Sequence, residues 1–163
     1  MKMPSIPENF LKSIFQQAEQ EYPEECCGLI LGNCGRENFS RIKAVKNAQE
    51  KYHTQDPVQF PRSARQAYFM EPKELLLLQK ELRGAKEEIR VIYHSHIEAG
   101  AYFSEEDKRI ALFEGEPVYP GVDYLIVSVM QGKAKEACFY RWSPEKKEFI
   151  DLGLEGWSSS SPT

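Results

Sequence analysis

The sequence predicts a single domain of the α/β or α+β class. Three observations lead there. At 163 residues the chain has the size of one ordinary domain, long enough to hide about two thirds of its unfolded surface in a single core. Its apolar residues switch between helical spacing and β-type alternation along the chain. Helical and β-prone segments are interleaved from the start, with no visible internal repeat.

Residues 7–22 place Phe10, Leu11, Ile14, Phe15 and Ala18 at helical spacing, with Glu8 early and Pro23 just beyond, which describes an amphipathic helix. Residues 27–32 and 39–46 are β-prone and flank the turn-forming Gly32-Asn33-Cys34-Gly35, so a hairpin is expected. Residues 47–66 show no clear period and read as a long loop, of the kind that often forms a lid or binding surface. Residues 67–70 suggest a short strand. Pro72 then opens a leucine-rich helix that is expected to run to about Arg83, stop at Gly84 and bury a broad face through Leu75 to Leu78.

Residues 89–96 alternate and are rich in β-branched side chains, giving a strand that ends in His94-Ser95-His96. A loop through Gly100 follows, and then a helix over residues 104–113. Residues 123–130 and 134–142 read as two strands joined at Gln131-Gly132, and residues 149–152 offer another. The domain is expected over residues 1–153, with a serine-rich disordered tail over 154–163.

Composition excludes several functions. A net charge of −4 with no lysine or arginine cluster argues against a nucleic-acid partner. The apolar runs fall far short of the roughly 20 residues needed to cross a bilayer. The amino terminus lacks an apolar signal-peptide core, so a cytoplasmic location is expected. The four cysteines, at 26, 27, 34 and 138, have neither the density of a disulfide framework nor the spacing of a CxxC zinc site. Cys26 and Cys27 precede an apolar run and read as buried, reduced thiols rather than a redox pair.

The chemistry concentrates between positions 94 and 107. Side chains two apart on a strand share a face with α-carbons about 6.6 Å apart, so His94 and His96 can converge on one ion. Asp107, in the first turn of the following helix, can supply a third ligand and leave one tetrahedral position open, the mark of catalytic rather than structural zinc. A purely structural reading exists, because Ser104 followed by Asp107 resembles a helix capping box. His53, in its polar loop, is expected to be solvated and is not assigned to the metal. There is no HExxH, and no nucleophile elbow supports a serine triad.

His94-x-His96, seven residues, Ser104, two residues and Asp107 resembles the JAMM signature of the MPN-domain metalloproteases. Glu25-Cys26-Cys27-Gly28 followed by an apolar strand is similar to the upstream segment of the bacterial members. Weaker similarity extends to Asn47, Met70-Glu71-Pro72 and residues 120–128. Family members commonly carry proline directly after the second histidine and before the serine; here Ile97 and Phe103 stand in those places, which bears on the shape of the loop rather than on the ligands.

The resemblance implies an α/β fold, a single MPN-type, cytidine-deaminase-like domain with a central mixed β-sheet flanked by helices, and one zinc ion per chain held by His94, His96 and Asp107. It implies Glu25 as general base and Ser104 as hydrogen-bond donor to the oxyanion. It also implies hydrolysis after the C-terminal Gly-Gly of a ubiquitin-like sulfur-carrier protein. The alternative is a non-catalytic MPN module that binds such a partner or a complex subunit. Oligomeric state is left open, with a homodimer among the options.

Overall fold

The computed structural model describes residues 4–154. Apart from Leu154, the tail expected at 154–163 lies outside the described residues. In chain order the elements are α1 (Glu8–Glu21), β1 (Cys27–Asn33), β2 (Arg41–Val45), α2 (Gln49–Gln55), α3 (Pro72–Ala85), β3 (Glu87–Ile97) and α4 (Glu105–Ala111). They are followed by β4 (Leu112–Phe113), β5 (Glu116–Pro117), β6 (Asp123–Met130), β7 (Lys133–Ser143) and β8 (Glu148–Gly153).

Six strands form one sheet in the order β2-β1-β3-β6-β7-β8. β3 and β6 run parallel, whereas the other neighbours are antiparallel. The sheet is therefore mixed, and it is covered on both faces. Strand alternation sorts the side chains: Cys26, Ile30, Val91, Tyr93, Leu125 and Val127 pack with Ile14 and Ala18 of α1. Cys27, Leu29, Leu31, Ile92 and Ile126 form the opposite core with Leu78 and Leu82 of α3 and Ala111 of α4. Strands buried on both faces explain why β1 and β6 read as continuous apolar runs.

Gly28 is fixed by this packing. It pairs with Tyr93 across β1 and β3, and a Cβ at position 28 would stand 2.2–2.6 Å from the phenol ring. Tyr93 is fully buried and its hydroxyl donates to Gln17 of α1, so the ring has no free direction in which to retreat. Gly28→Ala should therefore cost about 1–3 kcal/mol, the usual range for overpacking a filled core. A urea melt checks this; an unchanged midpoint would show that the ring moves at no cost.

Several expectations need correction. Residues 47–66 are not a plain loop, because α2 lies within them. Its seven residues show no apolar stripe, so periodicity gives no sign of it. Tertiary contacts hold it: Asn47 Oδ1 accepts from Gln49 N at 3.0 Å, and the Tyr52 ring packs against Phe60 and Phe69 with centroids 5.1 and 5.0 Å apart. Residues 67–70 contribute only an isolated bridge, Met70 to Asn47. α3 runs through Gly84 to Ala85 and ends at Lys86 in the left-handed conformation. Its leucine run is only half buried, with Leu76 and Leu77 exposed. The helix expected over 104–113 stops at Ala111, and Leu112–Phe113 turns into a two-stranded ribbon with Glu116–Pro117.

Candidate active site

The site lies where β3 emerges from the sheet. His94 is opposite Cys27 of β1 and Ile126 of β6, and His96 is opposite Ser128. Both imidazoles face the side covered by α4, and both are buried. Ser95 turns the other way, as alternation requires. Its Oγ accepts from Cys26 N at 2.7 Å and its N–H donates to Cys26 O at 3.1 Å. This stitch continues the antiparallel register one step beyond β1, which sets Glu25 on the face that carries His94 and His96.

Each imidazole is oriented by neighbours. Tyr68 stacks on His94 with ring centroids 4.4 Å apart. His96 Nδ1 lies 2.9 Å from the carbonyl of Gly100, so it carries the proton and leaves the lone pair on Nε2, a common device for presenting a metal-binding nitrogen. Tyr102, 55% exposed, meets the same ring edge-on at 5.2 Å.

Asp107 comes from the first turn of α4, and its placement is dictated by the helix start. Ser104 is the N-cap: its Oγ accepts from Asp107 N at 3.0 Å, while Asp107 Oδ2 accepts from Ser104 N at 2.9 Å. The structural reading of this motif is therefore correct, and it coexists with the chemical one. The carboxylate held by the capping box points at the histidines, with Oδ1 2.9 Å from His94 Nε2 and Oδ2 3.0 Å from His96 Nε2. One ligand atom from each of the three residues lies within 4.8 Å of the others.

The His94 approach is short, yet it lies off the direction a hydrogen bond needs. Neither nitrogen of this fully buried ring has a hydrogen-bond partner. An orphaned buried imidazole is costly, and lone pairs crowding a common point are the geometry expected of convergent ligands. Two histidines and an aspartate fit a borderline divalent ion such as zinc. Burial pushes the Asp107 carboxyl up, but in the metal-free site imidazoles that present a proton to it more than offset this and hold it far below the usual aspartate range.

The loop between His96 and Ser104 is held without the two prolines. Ile97 continues β3 opposite Val129. Glu98 N donates to Val129 O at 2.8 Å, and Tyr140 Oη donates to Ala101 O at 2.7 Å. Phe103 packs into Tyr124, Tyr140 and Phe149, with centroids 5.4, 5.3 and 4.4 Å away. An aromatic plug thus fixes the chain immediately before Ser104.

Glu25 is 5% exposed, and no hydrogen bond to its carboxylate is found among the described residues. Burial, followed by the negative charge of Asp107, pushes its carboxyl well above the usual glutamate range. Its backbone is clamped from both sides: Glu25 N donates to Ala64 O at 2.8 Å, and Asn47 Nδ2 donates to Glu25 O at 2.9 Å. Asn47 also donates to Ala67 O and accepts from Gln49 N and Phe69 N, so one buried side chain ties 47–69 to the start of β1. Sequence reasoning noted Asn47 only as a point of similarity and missed Tyr68, whose stacking no local signal announces.

The remaining candidates fall away. Cys26 and Cys27 are fully buried, and burial raises the Cys26 thiol to about 12 and Cys27 in the same direction, so neither supplies a thiolate near neutral pH. His53 is half-buried rather than solvated, with Nδ1 2.7 Å from Phe60 O, and it stands outside the ligand group.

Residues 7–143 match the family described as prokaryotic homologs of the JAB domain. The chain belongs to that family. This JAB-domain protein is similar to the CysO-cysteine peptidase of Mycobacterium tuberculosis, with 26% identity over 136 residues that span 83% of this chain and 80% of that protein. The Mycobacterium bovis protein of the same name matches to the same extent. A solved structure from Desulfitobacterium hafniense gives a TM-score of 0.64 at 21% identity, covering 90% of this chain and 87% of that one. Another, from Salinibacter ruber, gives 0.57 at 19% identity, covering 99% and 95%. These two likenesses bear on the chain's fold alone. Among its described residues no helix is long and apolar enough to cross a membrane.

Proposed function

We propose that this JAB-domain protein is a zinc-dependent metallopeptidase. It hydrolyses the peptide or isopeptide bond that follows the C-terminal Gly-Gly of a ubiquitin-like sulfur-carrier protein. The observation that carries the reading is the convergence of His94, His96 and Asp107 beside the buried Glu25, whose carboxylate accepts no hydrogen bond among the described residues. Similarity to proteins named CysO-cysteine peptidase supports the substrate class.

His94, His96 and Asp107 would hold the ion. Zinc bound there supplies a Lewis acid that polarises the scissile carbonyl and makes a water acidic enough to ionise near neutral pH. Glu25 is the base that takes the proton from the attacking water and delivers it to the leaving amine. Its raised affinity for protons suits it to both halves of that transfer. Ser104 Oγ accepts from the helix backbone, and its own proton has no acceptor among the described residues, so it is free to donate to the developing oxyanion.

The test is cleavage of a carrier protein bearing a C-terminal extension, followed by intact-mass spectrometry. Zinc-loaded protein should release the extension at Gly-Gly, lose the activity on chelation and regain it with zinc. Ser104→Ala should retain zinc and turn over about a hundredfold more slowly, the usual cost of one oxyanion donor. An intact carrier after incubation with folded, zinc-loaded protein would overturn the reading.

A further inference from the structure

Residues 62–65 lie against the start of β1, where Glu25 N donates to Ala64 O at 2.8 Å and Gln49 Nε2 holds the Arg62 carbonyl at 2.8 Å. From there the Arg62 side chain reaches the first turn of α4, with Nε 3.5 Å from Glu106 Oε2. Arg62 thus bridges the segment that flanks Glu25 and the residue beside Asp107. That contact is loose, and Glu106 does not depend on it. Arg109 already holds Glu106 with hydrogen bonds of 3.1 and 2.6 Å. The Arg62 side chain is about half exposed, at 49%, and its guanidinium makes no hydrogen bond among the described residues. A guanidinium with its donors uncommitted is a receptor for a planar carboxylate.

The chemistry at Glu25 says which carboxylate. If Glu25 hands the proton to the leaving amine, that nitrogen comes within hydrogen-bond reach of Glu25. In a released α-amino acid the carboxylate carbon is two bonds from the nitrogen. In a released lysine side chain a methylene stands there instead. We propose that Arg62 binds the free α-carboxylate of the residue that follows the scissile bond, so that the enzyme releases one C-terminal amino acid in preference to opening an isopeptide link. The inference rests on the peptidase reading above and names the group that leaves.

Three carriers, identical through Gly-Gly, test it: one extended by a single amino acid as the free acid, one by its carboxamide, and one joined to the ε-amine of a lysine peptide. Wild type should cleave the free acid with a kcat/KM about ten- to hundredfold above the other two, the range for one charge-assisted hydrogen-bond pair. Arg62→Ala should erase that preference, chiefly through KM, with zinc content unchanged. It should slow the free acid by the same factor and the carboxamide far less, while Arg62→Lys restores part of the preference. Equal cleavage of acid and carboxamide by wild type, or equal slowing of both by Arg62→Ala, would overturn the inference and leave the peptidase standing. If wild type cleaves none of the three, the peptidase reading falls and takes the inference with it.

Discussion

Glu25→Gln is expected to lower turnover by orders of magnitude, keep the metal and make the metal-free protein more stable. The three effects share one cause. The carboxyl is buried beside Asp107 and accepts no hydrogen bond among the described residues, so the fold disfavours its ionised form, as reactive sites commonly do. Glutamine keeps the shape, cannot take a proton from water, and removes the charge. Loss of the base should lower kcat by about 10²- to 10⁴-fold. The metal-free variant should gain about 1–3 kcal/mol, the range for relieving an unpaired buried polar group.

The sign with pH follows from the raised carboxyl. The folded state binds the Glu25 proton more tightly than the unfolded chain, so above the unfolded glutamate value of about 4.3 wild type loses stability with each step up in pH until the folded group ionises. Glutamine has no such term. The difference between variant and wild type should therefore widen from pH 5 towards neutrality in chemical melts of metal-free protein. A difference that stays flat, or a variant less stable than wild type, would show that Glu25 is not held as an unfavourable charge.

Asp107→Ala is expected to lose the metal and to weaken α4, because one carboxylate serves both. Its oxygens face His94 and His96, and Oδ2 also completes the cap with Ser104. Removing it deletes a third of the ligand set, which should lower zinc affinity by at least about 100-fold, given that even outer contacts to ligands cost 10–100-fold. The lost cap should cost the metal-free protein about 1 kcal/mol. Asp107→Asn separates the two roles: an amide oxygen still accepts from Ser104 N but is a poor zinc ligand. Titration with zinc, alongside thermal melts of metal-free protein, reads both. Undiminished zinc binding by the alanine variant would remove Asp107 from the ligand set.

The candidate ligands are legible because each obeys a local rule. His94 and His96 share a face through the two-residue period of a strand, and Asp107 is presented by a capping box that the Ser104 spacing announces. Glu25 is different. Chemistry alone offers two adjacent acids, Glu24 and Glu25, and only the Cys26–Ser95 stitch and the Asn47 clamp, which join residues 69 and 22 positions apart, decide that Glu25 is the buried one. α2 escaped notice because long-range rings and an asparagine hold it rather than an apolar stripe. The leucine run of α3 misled in the opposite way: consecutive leucines point round the helix, so Leu78 is buried while Leu76 and Leu77 face out. Arg62 carries no motif, and its relation to Glu25 exists only in the fold.

The central claim, a metal peptidase centre with Glu25 as its base, is tested most directly by measuring zinc content and carrier cleavage together for wild type, Glu25→Gln and His96→Ala. One zinc per chain is expected in wild type and Glu25→Gln, little in His96→Ala, and cleavage at least about 100-fold faster in wild type than in either variant. Cleavage by Glu25→Gln at a rate close to that of wild type, or zinc bound as tightly by His96→Ala as by wild type, would contradict the claim.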